Sequence, residues 1–173
     1  TKIADVSSVP VILYNVPSRT GVNIAPATVK ELSKHPNISG IKEASGNISA
    51  VAEIAALCGD DINIYSGNDD QTVPIMSLGG KGWISVLSNV LPRQSAELCA
   101  KMLKGDYKGA AEMQLKYLPL INALFSEVNP IPVKAAMAAM GWCEDYLRLP
   151  LTPMEPAHRE VLFAEMCKAG INI

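Results

Sequence analysis

Residues 9–21, VPVILYNVPSRTG, run from an apolar, β-branched stretch into Tyr14 and then into a turn that holds Arg19 between a proline and a glycine. Residues 39–46, SGIKEASG, repeat the plan, and Lys42 falls 28 residues beyond Tyr14. Short strands of this kind, apolar on both faces and ending on a functional side chain, belong in a parallel sheet covered by helices. The segments around them agree. APATVKELSKHP follows the first strand and NISAVAEIAALCG the second, then come INIYSG, DDQTVPIMSLGG and GWISVLS, so that β-branched runs alternate with amphipathic ones in a βαβαβαβ order. Local signals place the helix ends: Asn47 can cap the helix that starts at Ile48, Pro36 stops another, and Gly59 and Gly79 stand where a left-handed residue closes a helix.

Beyond about Leu87 the pattern is helical only. Pro92 opens RQSAELCAKML and Gly105 closes it, and a long amphipathic run extends from Tyr107 to Val128 with a kink expected at Pro119. Asn129 is the expected cap of PIPVKAAMAAMG, Thr152 and Glu155 have capping-box spacing ahead of the last helix, and RLPLTP reads as an extended connector. Strand starts near 11, 39, 62 and 83 are spaced by 28, 23 and 21 residues, a barrel-like regularity. Four strands do not close a barrel, and a (β/α)₈ barrel needs about 250 residues, so the fold expected is α/β, the second half of such a barrel in residues 1–90 followed by a C-terminal helical domain in 91–173.

Composition narrows the function. A formal charge of −2 with 15 scattered Lys and Arg offers no basic patch, which excludes nucleic acid as a partner. Two histidines, His35 and His158, supply too few ligands for a metal site. Cys58, Cys99, Cys143 and Cys167 form no CxxC pair and sit in helical-looking segments, as buried thiols of a reducing compartment would. No apolar run approaches the ~18 residues of a membrane span and no signal peptide opens the chain, so a cytoplasmic location and no membrane partner are expected. LGGKG resembles a phosphate cradle but lies before a strand, away from the catalytic end, and reads as a turn. Met113, Met137, Met140 and Met166 follow helical spacing and read as core or interface.

Barrel strands point alternate residues inward, which puts Ile12 and Tyr14 on one face of their strand and Gly40, Lys42 and Ala44 on one face of the next. A lone strand-end lysine ordinarily reaches into water and a lone tyrosine ordinarily packs. Set at matched depth on consecutive strands, among small and apolar neighbours, they suit an amine that forms a Schiff base with a carbonyl substrate. Arg19, presented by a turn bounded by Pro17 and Gly21, suits the two-pronged grip of a carboxylate. Glu43 points away from Lys42 and reads as a structural partner on the outer face. Asn68, Asp69 and Asp70 read as a turn and helix cap.

YNVPSRTG, GIKEASG, YSGNDD, GGKGWISVLSN, NPIPVKAAM and LRLPLTP together resemble the dihydrodipicolinate synthase branch of the N-acetylneuraminate lyase superfamily, over essentially the whole chain. The resemblance implies that Lys42 forms an imine with pyruvate, that Tyr14 relays protons, and that Arg19 binds the carboxylate of aspartate semialdehyde. It also maps pyruvate contacts to Gly67 and Ile84. The arginine favours this branch over the neuraminate lyases, which lack it. The implied reaction is a cofactor-free condensation of pyruvate with aspartate semialdehyde on the lysine and diaminopimelate pathway, by a homo-oligomer, dimer or tetramer. The family's Thr-Thr pair and second tyrosine belong to a first half of the barrel expected before Thr1, and this chain alone is expected to be inactive. The alternatives are an aldolase of 2-keto-3-deoxy sugar acids with the same imine chemistry, and a non-catalytic fragment that keeps the fold.

Overall fold

A computed structural model describes all 173 residues. The chain divides into two compact units, one of Thr1–Ile84 with Met102–Tyr107 and one of Ser85–Lys101 with Lys108–Ile173.

In the first unit, strands β1 (Val11–Asn15), β2 (Ile38–Glu43), β3 (Asn63–Ser66) and β4 (Gly82–Trp83) alternate with helices α1 (Lys2–Val6), α2 (Pro17–Thr20), α3 (Pro26–Leu32), α4 (Ile48–Cys58) and α5 (Thr72–Ser77). The strands form one parallel sheet in the order β1-β2-β3-β4, so each pairs with its sequence neighbour and the outer edges of β1 and β4 are unpaired within the sheet. A closed barrel is not formed by this chain. The register sets Tyr14 beside Lys42, Lys42 beside Tyr65 and Tyr65 beside Gly82, one row across the sheet.

Alternation decides what each face does, reset once where the β1–β2 register shifts between Val11 and Ile12, which lets Ile38 and Ile41 reach the same side. Ile38, Ile41 and Ile64 pack with Val29 of α3, Val51, Ile54 and Cys58 of α4 and Ile75 of α5 in a continuous core, all at most 4% exposed. Each isoleucine so buried contributes about 1.5–3 kcal/mol of hydrophobic stabilisation. Asn47 caps α4 as expected, its side chain accepting the Ala50 N–H at 3.1 Å. Gly59 (φ 54°) and Gly79 (φ 97°) take the positive φ that closes α4 and α5 without a Cβ penalty. The Arg19 segment is a single helical turn, α2, rather than an open loop, with Gly21 N–H bonding to Pro17 O at 2.9 Å. β4 is shorter than GWISVLS suggested: its partner β3 ends at Ser66, one further bond joins Ile84 N–H to Ser66 O at 2.8 Å, and the chain then turns into a 3₁₀ segment at Leu87–Asn89.

The second unit contains helices α6 (Pro92–Leu103) and α7 (Tyr107–Leu124), apart from the last two residues of α6 and the first of α7, which fall in the first unit, and helices α8 (Ile131–Ala139) and α9 (Pro156–Lys168). α7 runs without a break through Pro119 and buries Ala110, Gln114, Tyr117, Ile121 and Leu124, a stripe at three- and four-residue spacing. α8 packs against α9, where Leu162 and Met166 are fully buried.

Three local expectations are corrected by these helices. The N-cap position of α8 is held by Pro130 rather than Asn129, with no side-chain cap bond, and Pro132 stands in the first turn, where its missing N–H costs nothing. The Thr152–Glu155 capping box does not form, because α9 starts only at Pro156 and Glu155 itself stands at the N-cap position, without a side-chain cap bond. Glu127 takes over from outside the helix, its Oε1 accepting the Glu155 N–H at 3.0 Å and lying 2.8 Å from His158 Nδ1. Cys143 lies in the bend after α8, not in a helix. All four cysteines are free thiols, Cys58 buried and Cys167 exposed. No helix is long and apolar enough to cross a membrane.

Candidate active site

β1, β2 and β3 end side by side, and the ladder runs one residue past β2 and one past β3: Ala44 N–H bonds to Asn15 O at 2.9 Å and Gly67 N–H to Glu43 O at 2.7 Å. These bonds hold the strand ends level. Lys42 Nζ lies 4.3 Å from the centroid of the Tyr14 ring, within the range of a cation–π contact. Both side chains stand on the sheet face opposite α3, α4 and α5, where Ile12, Tyr14 and Ile84 are 44%, 46% and 41% exposed.

The next row is shaped by the absence of a side chain. A Cβ at Gly67 would lie 2.7 Å from Ala44 Cβ and 3.1 Å from both Cγ and Cε of Lys42, so only glycine leaves the lysine stem its place. Ile84, bonded through its N–H to Ser66 O at 2.8 Å, continues the register beside Gly67. Arg19 is exposed and lies five residues beyond Tyr14, at the same end of the sheet. Of the five residues singled out from sequence, Tyr14, Lys42 and Gly67 are therefore in mutual contact through Lys42, and Arg19 and Ile84 border the same strand ends.

Two features escaped the sequence reading. Tyr65 occupies the row on the far side of Lys42 from Tyr14, and Tyr65 Cε2 lies 3.2 Å from where a Cβ on Gly40 would stand. The two-residue alternation of INIYSG carried that signal, since Tyr65 shares its face with Gly67. Asn15 is 2% exposed on the opposite face and donates to Glu43 Oε2 at 2.9 Å, and the 28-residue offset that sets Tyr14 beside Lys42 was the signal for this pair as well. Glu43, 1% exposed, is confirmed as a partner on the helix-covered side.

The two histidines have local partners: His35 Nε2 is 2.9 Å from Asp5 Oδ1, and His158 pairs with Glu127. No three His, Cys, Asp or Glu side chains converge as a metal-binding group. What the open face presents instead is an amine beside a phenol, on a floor of small residues.

The sequence profile of the Dihydrodipicolinate synthetase family matches residues 1–169. The chain is 59% identical over 172 residues to the 4-hydroxy-tetrahydrodipicolinate synthase of Caldicellulosiruptor saccharolyticus, covering 99% of this chain and 58% of that protein. It is 56% identical over 171 residues to the synthase of Alkaliphilus oremlandii, covering 99% and 59%. Among solved structures, dihydrodipicolinate synthase from Aquifex aeolicus superposes with a TM-score of 0.96 at 39% identity, over 99% of this chain and 59% of that one. The chloride-inhibited synthase of Acinetobacter baumannii complexed with pyruvate superposes with a TM-score of 0.95 at 40% identity, over 98% and 58%. The chain thus spans about 58% of the length of these relatives. On a match over nearly its whole length, the chain belongs to the dihydrodipicolinate synthetase family.

Proposed function

We propose that this chain is the Lys42-bearing part of a Schiff-base enzyme that condenses pyruvate with L-aspartate 4-semialdehyde to 4-hydroxy-tetrahydrodipicolinate, in lysine and diaminopimelate biosynthesis. The observation that carries the reading is the pairing of Tyr14 and Lys42 across adjacent parallel strands, with Nζ 4.3 Å from the ring, on the face the helices leave open. Lys42 Nζ attacks the ketone of pyruvate, and the carbinolamine loses water to give an imine. Tyr14 moves protons at the carbinolamine and again when the imine loses a methyl proton to become an enamine. The enamine carbon attacks the aldehyde, whose oxygen takes up a proton, and the second substrate's own amine then attacks the restored imine carbon, closing the ring as the bond to Lys42 Nζ breaks. Arg19 holds the carboxylate of that second substrate, and Gly67 and Ile84 bound the pyruvate. The iminium draws electrons from the forming carbanion, so the mechanism calls on no cofactor or metal.

Residues 1–90 are read as the second half of a (β/α)₈ barrel and 91–173 as a C-terminal helical domain, working in the cytoplasm within a homo-oligomer, a dimer or tetramer. A sheet with two unpaired edges and three large apolar side chains in water is an unfinished wall, and such edges invite pairing with further strands. Activity is accordingly assigned to the complete barrel rather than to these 173 residues alone.

The test joins this chain to the portion of the C. saccharolyticus synthase that it does not span. Pyruvate and aspartate semialdehyde should be consumed together, and a 2-keto-3-deoxy sugar acid should not be cleaved. Cleavage of the sugar acid in preference would make the protein an aldolase of the same chemistry, and turnover of neither would make the chain a scaffold.

A further inference from the structure

Behind the row that holds Tyr14 and Lys42, the strands carry polar side chains where apolar ones would pack. Asn15 follows Tyr14 and Glu43 follows Lys42, so alternation sends both to the helix-covered face, where they are 2% and 1% exposed. They face each other in register. Glu43 Oε2 accepts from Asn15 Nδ2 at 2.9 Å, and Glu43 Oε1 accepts the Ser45 N–H at 2.6 Å. Asn15 Nδ2 also donates to Asn23 Oδ1 at 3.0 Å, and Asn15 Oδ1 accepts the Ile24 N–H at 3.0 Å. One buried amide and one buried carboxyl group thereby tie together the end of β1, the end of β2, the loop after Ala44, and the segment that follows the turn bearing Arg19.

Burying a carboxyl group costs free energy that hydrogen bonds only offset, whereas two aliphatic residues would fill the same layer without that cost. Hydrogen bonds differ from apolar contacts in being directional, and each atom here is matched to a donor or acceptor of one polarity. We infer that Asn15 and Glu43 are positioning residues for the condensation: their hydrogen bond fixes the spacing of Tyr14 and Lys42 on the opposite face and anchors the segment after Arg19. The inference rests on the Schiff-base reading of Lys42. Neither residue touches substrate. They act through the residues that precede them, and a misplacement of about 1 Å at reacting groups is enough to cost about 10²-fold in rate.

The network has a built-in test, because its polarity can be reversed. In Glu43→Gln an NH₂ group meets either Asn15 Nδ2 or the Ser45 N–H, donor against donor. In Asn15→Asp two carboxyl groups meet. In the double variant the polarity is swapped: the new amide on β2 donates to the new carboxylate on β1, and its oxygen keeps the Ser45 N–H. The new carboxylate keeps the Ile24 N–H, and Asn23 turns its amide to donate. The variants are made in the protein completed with the C. saccharolyticus portion, with three readouts: thermal melting, the amount of pyruvate trapped on Lys42 by borohydride, and kcat and KM for both substrates. Glu43→Gln should remain folded and lose about 10- to 100-fold in kcat, with KM for pyruvate changed less than kcat. Asn15→Asp should lose more. The double variant should return to within about threefold of the parent, the coupling expected of residues in direct contact.

Glu43→Gln within about twofold of the parent, or a double variant no better than the worse single, would overturn the inference. So would a Glu43→Gln protein that melts earlier but turns over normally per folded molecule, since the pair would then serve stability alone. The parent protein separates the two claims. If it gives no adduct on Lys42, the Schiff-base reading fails and takes this inference with it; if it gives the adduct and Glu43→Gln is unaffected, the positioning claim alone fails.

Discussion

The two faces of the four-stranded sheet are made by the same strands and meet opposite fates. On the face covered by α3, α4 and α5, Ile41 is 0% exposed and Ile64 4%; on the other, Ile12 is 44% exposed and Tyr14 46%. The covered face is packed against helices of this chain, and its isoleucines hold the unit together. The open face collects the amine, the phenol and the small residues around them, together with apolar side chains that gain nothing from water. Stability and the proposed chemistry are thus written on opposite faces of one sheet. Alternation along each strand keeps them apart, and the Asn15–Glu43 hydrogen bond links the strand ends from which both are built.

Substitutions can break that contrast. Ile41→Ala empties a fully buried site and should cost about 2–5 kcal/mol in denaturant unfolding of the 173-residue chain. Ile12→Ala, on the neighbouring strand and the other face, should change the same measurement by no more than about 0.5 kcal/mol. Equal costs would mean that the open face is packed and that the chain is no unfinished wall. In the completed protein the Ile12→Ala cost should rise, since the added strands then cover it.

Tyr14→Phe keeps the ring against Lys42 and deletes the hydroxyl. Turnover of the completed protein should fall by about 10²-fold or more, the scale of a lost general acid–base group, with melting unchanged. Unaltered turnover would reduce Tyr14 to a packing residue and leave the open face with one functional group instead of two. Arg19→Ala should weaken the use of aspartate semialdehyde by about 1.5–3 kcal/mol, read as kcat/KM for that substrate, and leave trapping of pyruvate nearly intact. Loss of pyruvate trapping would move Arg19 to the first substrate or to the fold.

Much of this contrast is legible in the residues. VPVILYN and SGIKEAS have the length and branching of strands, and one alternation rule puts Tyr14 with Lys42 and Glu43 behind them. The helix cap at Asn47 is equally legible, since cap and capped N–H are three residues apart. The misses are non-local or compete with proline. Glu127 reaches the start of α9 from 28 residues upstream, so no local motif could reveal it, and the prolines at 130 and 156 move two helix starts beyond the polar residues that look like caps. Asn15 ends the strand that VPVILYN predicts, and its own neighbours along the chain give it no role. Only its contact with Glu43, itself 28 residues on, makes it part of the site's support.

The proposed chemistry turns on Lys42 as the nucleophile. Incubating the completed protein with pyruvate and borohydride, digesting it, and weighing the peptides by mass spectrometry tests this directly. One pyruvyl adduct per chain is expected, on the peptide containing GIKEASG, abolished by Lys42→Ala with the fold intact. An adduct on any other lysine, or none on a protein that still turns over both substrates, would contradict it.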